Sequence, residues 1–287
     1  MNELLELKEK RQHGSFLFHF AVYEISSNFP DILPHWHNEL EILVGIENET
    51  DVRIGEEDYK IQKNEILIVP CNAIHSSNSY NKKYLCYAVL FDSAMLGSNL
   101  IDSCRMNYID PIINHTVDYN LHITADTQWG KNIISRMNRI IELNSEKSFA
   151  FELGIKSSLY DVFYELSSNL PQNRKIETLK NPEVEKLKHS LIFIEKNYMN
   201  KITIDEMAGQ SFMSVYYFCR YFKKVLGMTP FNFLNQYRIQ MGAKLLKETD
   251  LPITSIAFDV GFNDSSYFSK MFQKYMNCTP TDFKISS

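Results

Sequence analysis

Between Phe16 and Phe91 apolar residues alternate with polar ones or gather into short runs: FLFHFAVYEI, LEILVGI, DVRIG, YKI, EILIVP and YLCYAVLF, divided by Asn, Gly, Glu-Asp and Pro turns. Short strands so closely spaced predict an antiparallel barrel or sandwich. After Thr127 the period lengthens. Ile133, Ile134, Met137, Ile140 and Ile141 recur at helical spacing, as do Leu159, Val162, Phe163 and Leu166 beyond the break at LNSEKS. These are two amphipathic helices, able to pack on the strands or on another chain. Asn169 to Pro182, with two prolines and few apolar residues, reads as a linker. Everything from Glu183 onward reads as short helices.

Those helices contain a repeat. SVYYFCRYFKKVLGMTPFNFL (Ser214 to Leu234) aligns with DSSYFSKMFQKYMNCTPTDFK (Asp264 to Lys284) at a constant offset of 50 residues. Tyr217, Phe218, Arg220, Phe222, Lys224, Thr229-Pro230 and Phe233 fall on Tyr267, Phe268, Lys270, Phe272, Lys274, Thr279-Pro280 and Phe283. In each copy Ser214 or Asp264 can cap a helix start, and the paired phenylalanines share one face that must be buried. The opposite face carries Tyr216, Arg220 and Lys223, or Ser266, Lys270 and Gln273. Gly227 and Asn277 suit left-handed helix ends. A further short helix precedes each copy (TIDEMAG, and PITSIAFDV with Pro252 at its start). Helix, tight turn, helix is helix-turn-helix geometry, whose second helix enters the DNA major groove.

Charge sharpens this reading. The chain of 287 residues is acidic overall, at −5, but residues 181–287 hold 13 Lys+Arg against 10 Asp+Glu, and residues 1–180 hold 17 against 25. The cationic surface belongs to the C-terminal third. Five scattered cysteines without a CxxC pair read as reduced thiols, and no apolar run approaches a membrane span. A cytoplasmic protein is expected. No phosphate-binding Gly loop, nucleophile elbow or HExxH is present.

The C-terminal third resembles the AraC/XylS family of transcription regulators. Ile253, Ile256, Ala257, Gly261, Phe262, Ser266, Tyr267, Phe268, Phe272, Lys274, Thr279 and Pro280 follow that family's second-motif pattern. Ala208, Ser214, Tyr217, Phe218, Arg220, Phe222, Lys223, Lys224 and Gly227 follow the first. Asn277, where the pattern has glycine, and Gly242, where the connecting helix has alanine, depart from it. The resemblance implies a connecting helix from about Phe231 to Lys247 that spaces the recognition helices for successive groove segments, roughly 34 Å apart. It implies DNA contacts from Ser214, Val215, Tyr216, Cys219, Arg220 and Lys223, and from Asp264, Ser265, Ser266, Ser269, Lys270 and Gln273. Arg238 is either a backbone clamp or a packing residue.

In PHWHNELEILV, His35, His37 and Glu41 form H-x-H-x3-E, and VPCNAIH adds His75. Alternation puts the first three on one side, able to converge inside a barrel, with Trp36 pointing the other way. This looks like a cupin motif, and a cupin barrel also resembles the sensor half of many AraC/XylS regulators. In cupin enzymes such residues bind a divalent transition metal; in sensors they line an effector pocket or serve as hydrogen-bonded internal residues. An effector pocket at His35, His37, Glu41 and His75 is the use expected here, with no cofactor, and a metal site or a purely structural role are the alternatives.

The expected architecture is therefore α+β with two domains. Residues 1–125 form a cupin-like sensing domain and 126–170 amphipathic helices for dimerisation; 171–182 are the linker. Residues 183–287 form an all-α DNA-binding domain with helix-turn-helix motifs at about 203–226 and 252–275. The expected function is regulation of transcription, more often activation, by double-stranded DNA binding under control of a small molecule, with a carbohydrate expected on family grounds. A homodimer and contact with RNA polymerase follow from the same resemblance. The competing class is a metal-dependent cupin enzyme with a helical appendage.

Overall fold

The computed structural model describes residues 18–26, 32–78, 84–97, 102–114, 120–169 and 182–285. The linker expected at 171–182 lies outside them except for Pro182. The strands are β1 (Phe20–Ser26), β2 (Ile32–His35), β3 (Leu40–Glu47), β4 (Thr50–Ile54), β5 (Glu57–Ile61), β6 (Ile66–Val69), β7 (His75–Asn78), β8 (Leu85–Phe91) and β9 (His122–Ile123). They form two antiparallel sheets, ordered β1-β8-β3-β6-β9 and β2-β7-β4-β5. Both sheets feed one core, Ile42, Val44, Ile68 and Val89 from the first and Val52 and Ile61 from the second. Among the described residues no ladder joins the sheets, so the barrel expected from the strand spacing takes the form of a two-layer sandwich.

The helices are α1 (Asp110–Ile113), α2 (Gln128–Glu146), α3 (Phe151–Asn169), α4 (Pro182–Asn197), α5 (Ile204–Gln210), α6 (Val215–Leu226), α7 (Pro230–Glu248), α8 (Ile253–Asp259), α9 (Ser265–Met276) and α10 (Pro280–Ile285). Thr127 starts α2 by accepting the Gly130 amide, and Lys147 ends it in the left-handed conformation. The stripe Ile133, Ile134, Met137 and Ile140 on α2 and the stripe Leu159, Val162, Phe163 and Leu166 on α3 are buried in the same core as the strands. Intrachain packing therefore accounts for those apolar faces. A different face of α3 leaves Leu153, Tyr160 and Tyr164 exposed.

The C-terminal helices build two small cores around the connector α7. Phe233, Leu234 and Tyr237 of α7 pack with Phe218 and Phe222 of α6. One and a half turns on, Ile239, Ala243 and Leu246 pack with Ile256, Phe268 and Phe272. Gly242 is what lets α7 approach α9: a Cβ there would stand 2.9 Å from the Phe268 ring.

Candidate nucleic-acid interface and sensor cluster

Each recognition helix is built by the same local rules. In the first motif α5 begins with a capping box, the Thr203 side chain accepting the Glu206 amide while Glu206 accepts the Thr203 amide. Its end is a left-handed turn in which the Phe212 amide donates to the Gly209 carbonyl (3.0 Å) and the Met213 amide to the Ala208 carbonyl (3.2 Å). The second motif repeats those bonds as Gly261 to Phe258 (2.9 Å) and Phe262 to Ala257 (3.0 Å). Ser214 then accepts the Tyr217 amide to start α6, and Asp264 accepts the Ser266 and Tyr267 amides to start α9. Gly227 (φ 72°) and Asn277 (φ 57°) close the helices in the left-handed region.

Burial of the aromatic faces decides what remains outside. Phe218, Phe222, Phe268 and Phe272 are wholly buried. Ser214, Tyr216, Arg220 and Lys223 on α6 are exposed, with Val215 and Cys219 half-buried; Asp264, Ser266, Lys270 and Gln273 on α9 are exposed, with Ser265 and Ser269 half-buried. The Arg220 guanidinium lies over the Tyr216 ring at 5.6 Å, which limits the rotamers it must lose on binding. The matched tyrosines serve as struts instead: Tyr217 donates to Glu183 of α4, and Tyr267 receives Asn235 of α7. Arg238 is set apart from both faces. It is 9 % exposed, and its Nε and Nη2 donate to the Tyr198 and Asn200 carbonyls at 2.7 and 2.8 Å, with Phe262 beneath. Its Nε and Nη2 fasten α7 to the end of α4, a packing role.

In the sensor half His35, His37 and His75 converge, with one ring nitrogen of each within 4.8 Å of the others. The convergence is not the one-strand geometry the sequence suggested. His35 stands on β2 opposite His75 on β7, whereas Glu41 stands on β3 in the other sheet, because the chain bends between Trp36 and Leu40. The Glu41 Oε2 lies 3.1 Å from His37 Nε2 and 2.9 Å from His75 Nε2. Each Nδ1 faces a backbone carbonyl: Leu33 for His35 (2.9 Å), Glu39 for His37 (3.2 Å) and Ala73 for His75 (3.0 Å). A carbonyl can only accept, so each Nδ1 is the donor of its pair, and the Nε2 atoms of His37 and His75 are the ones that meet Glu41. Burial, then the neighbouring His75 and His37, hold the His35 imidazole well below its ordinary pKa. Burial opposes ionisation of Glu41, but the His75 and His37 imidazoles outweigh it and hold the carboxyl well below the usual range. The cluster is a buried carboxylate facing ring nitrogens, suited to a polar or cationic guest.

The residues between these histidines point away. Trp36, 2 % exposed, joins Leu33 and Ile74 in the core of the first helix-turn-helix, with Leu187 and Leu191 of α4. Lys188 of α4 sits over the Trp36 ring at 5.6 Å and donates to the Asn72 carbonyl at 2.8 Å. A second junction lies at Arg53 of β4, whose Nε and Nη2 donate to the Val225 and Lys224 carbonyls of α6 at 3.1 and 2.7 Å. Alternation predicts the direction of Trp36 but not its destination. Arg53 carries no local signal, since its partners lie more than 170 residues away in sequence.

Paired helix-turn-helix motifs behind a β-sandwich are the architecture of a DNA-binding transcription regulator. Residues 207–285 match the family model described as a helix-turn-helix domain, of AraC type. The chain is 29 % identical to the uncharacterized HTH-type transcriptional regulator YdeC of Bacillus subtilis over 285 residues, covering 97 % of this chain and 96 % of that one. It is 28 % identical over 172 residues to the lactose operon transcription activator of Staphylococcus xylosus, spanning 59 % of that protein. It is 24 % identical over 174 residues to the transcriptional activator RhaS of Escherichia coli O157:H7, spanning 62 % of it. ToxT of Vibrio cholerae overlays on 93 % of the chain with 16 % identity and a TM-score of 0.45. Residues 207–285 thus form a helix-turn-helix domain of AraC type, and the chain is similar along its length to a transcription regulator. Among the described residues no helix is long and apolar enough to cross a membrane.

Proposed function

We propose that this regulator lays α6 and α9 into successive major-groove segments of one duplex and that occupancy of the His35–His37–Glu41–His75 cluster controls how it does so. The base and phosphate contacts come from the exposed faces, Ser214, Val215, Tyr216, Cys219, Arg220 and Lys223 on α6 and Asp264, Ser265, Ser266, Ser269, Lys270 and Gln273 on α9. Arg220 and Lys270 are the principal donors. The observation that carries control is the alternation where the chain leaves β2 through Trp36 and His37 and where it enters β7 from Ile74. His35, His37 and His75 face the cluster, while Trp36 and Ile74 between them are buried in the core of the first helix-turn-helix. A guest that moves the histidines moves Trp36 against α4, and it shifts DNA binding to the extent that it prefers one placement.

A small polar effector fits this reading, and a carbohydrate is its first form, since one relative is named for the lactose operon. A divalent transition metal ion at the same groups is the second form, favoured by three inward ring nitrogens within 4.8 Å of one another. Activation is the expected sign, with RNA polymerase as partner. A homodimer is expected through the uncovered face of α3, where Leu153, Tyr160 and Tyr164 stand exposed one above another.

The test is fluorescence anisotropy of the full chain on duplexes from upstream of its own coding region, titrated with salt, competitor DNA and candidate sugars. Tight, competitor-resistant binding with a negative salt slope is expected, shifted by one of the sugars. In His75→Gln that shift is lost while sugar-free affinity is kept. A shift caused by chelator and reversed by metal selects the second form; binding indifferent to sugar, chelator and His75→Gln refutes control by the cluster.

A further inference from the structure

We propose that the acidic β4–β5 turn is an intramolecular brake on DNA binding by the first recognition helix; this rests on the regulator reading above. The turn and the first residues of β5 carry three carboxylates in succession, Glu56, Glu57 and Asp58, and they are stapled to the C-terminal end of α6. The staple is Arg53. Within the sensor half its Nη1 donates to Asp58 (2.6 Å), and its Nη2 approaches the Glu56 carbonyl (3.4 Å). Across the junction it donates to the Val225 and Lys224 carbonyls at 3.1 and 2.7 Å. Those carbonyls belong to the last turn of α6, where a helix has no donors of its own and its dipole is negative. A guanidinium is the natural cap there, and this one comes from the other half of the molecule.

The staple brings the acids to the reading head. Glu56 pairs with Lys224 at 2.6 Å, cancelling a cation adjacent in sequence to Lys223, which stands on the groove-facing side. Asp58 remains 74 % exposed at the same end of the helix. Charges in water act over about 8 Å at physiological salt, so phosphates approaching Lys223 and Lys224 meet the carboxylates of the turn as well. Among the described residues the second motif has no such attachment in its core, which is built from residues of the C-terminal half. The brake therefore acts on α6 and leaves α9 free to hold DNA. Because the turn lies on β4, in the same sheet as β2 and β7, movement at the histidine cluster can reach it through the sheet.

The test uses the full chain and a duplex that the wild-type protein selects from a random pool. Anisotropy titrations across salt compare wild type with Glu56→Gln/Glu57→Gln/Asp58→Asn and with Arg53→Met, after thermal melts show that each variant is folded. Both variants are expected to bind about tenfold tighter at low salt, with the advantage shrinking to about twofold or less near 0.5 M. The neutralised variant is also expected to show a salt slope steeper by about one, from the freed Lys224. Affinity of the neutralised variant equal to or below wild type at every salt overturns the brake, because a contact that merely supports α6 gives that sign. A wild-type chain that enriches no duplex overturns the regulator reading and the brake with it, so the two failures appear at different steps.

Discussion

The two helix-turn-helix motifs repeat their chemistry but not their support. At the turn both require a left-handed residue, yet the first uses Phe212 (φ 53°), 77 % exposed, where the second uses Gly261 (φ 91°). The glycine is obligatory in its setting, since a Cβ on Gly261 would stand 2.5 Å from the Tyr198 carbonyl oxygen and 2.9 Å from that of Met199. The cores differ as well. The first includes Leu33, Trp36 and Ile74 of the N-terminal half, whereas among the described residues the second includes none from that half. An internal repeat thus conserves what each copy needs to present a helix, namely the cap, the aromatic face and the stop. What surrounds the copy sets its freedom. The first motif is continuous with the sensor, and the second is carried by α7.

Three substitutions sharpen this contrast. The largest effect is expected at Gly261→Ala, where left-handed strain and a backbone clash act together; urea unfolding should show a loss of at least about 2 kcal/mol. Stability near wild type would mean that the second turn does not pack against the end of α4. Gly242→Ala comes next. Alanine gains about 1 kcal/mol of helix propensity, but a Cβ 2.9 Å from the Phe268 ring overpacks the α7–α9 contact by about 1–3 kcal/mol. A net loss of about 1 kcal/mol is expected, and a net gain would refute the close approach. The smallest is Phe212→Gly, which relieves a bulky side chain of the left-handed conformation and should stabilise by up to about 1 kcal/mol with DNA affinity unchanged. A destabilisation there would show that the Phe212 ring, which lies beside His189 at 6.5 Å, supports the turn.

Much of the C-terminal half was legible in sequence because its determinants are local. Phe218 with Phe222, Ser214 as cap and Gly227 as stop lie within one helix, so period and capping rules place them. Gly242 shows the limit. Its mismatch with helix propensity is visible in the chain, but its cause, the Phe268 ring, lies 26 residues on. In the sensor half the apolar strands β3, β6 and β8 announce themselves by pattern. β2 contains Pro34, β7 reads HSSN and β9 has two residues, so all three are defined by their partners rather than by their own composition. The histidine cluster was legible as a set of residue types, but not as a meeting of two sheets. Arg238 was ambiguous for the same reason, since only its neighbours show that its Nε and Nη2 are bonded to the end of α4. The Arg53 junction joins residues distant in sequence by side chain to backbone carbonyl, an interaction with no compositional trace.

The most direct test of the central claim, that both recognition helices read one duplex, is hydroxyl-radical footprinting of the full chain on a bound fragment. Two protected segments about one helical turn apart are expected, with Arg220→Ala weakening one and Lys270→Ala the other. A single protected segment, or two variants that weaken the same segment, would contradict the claim.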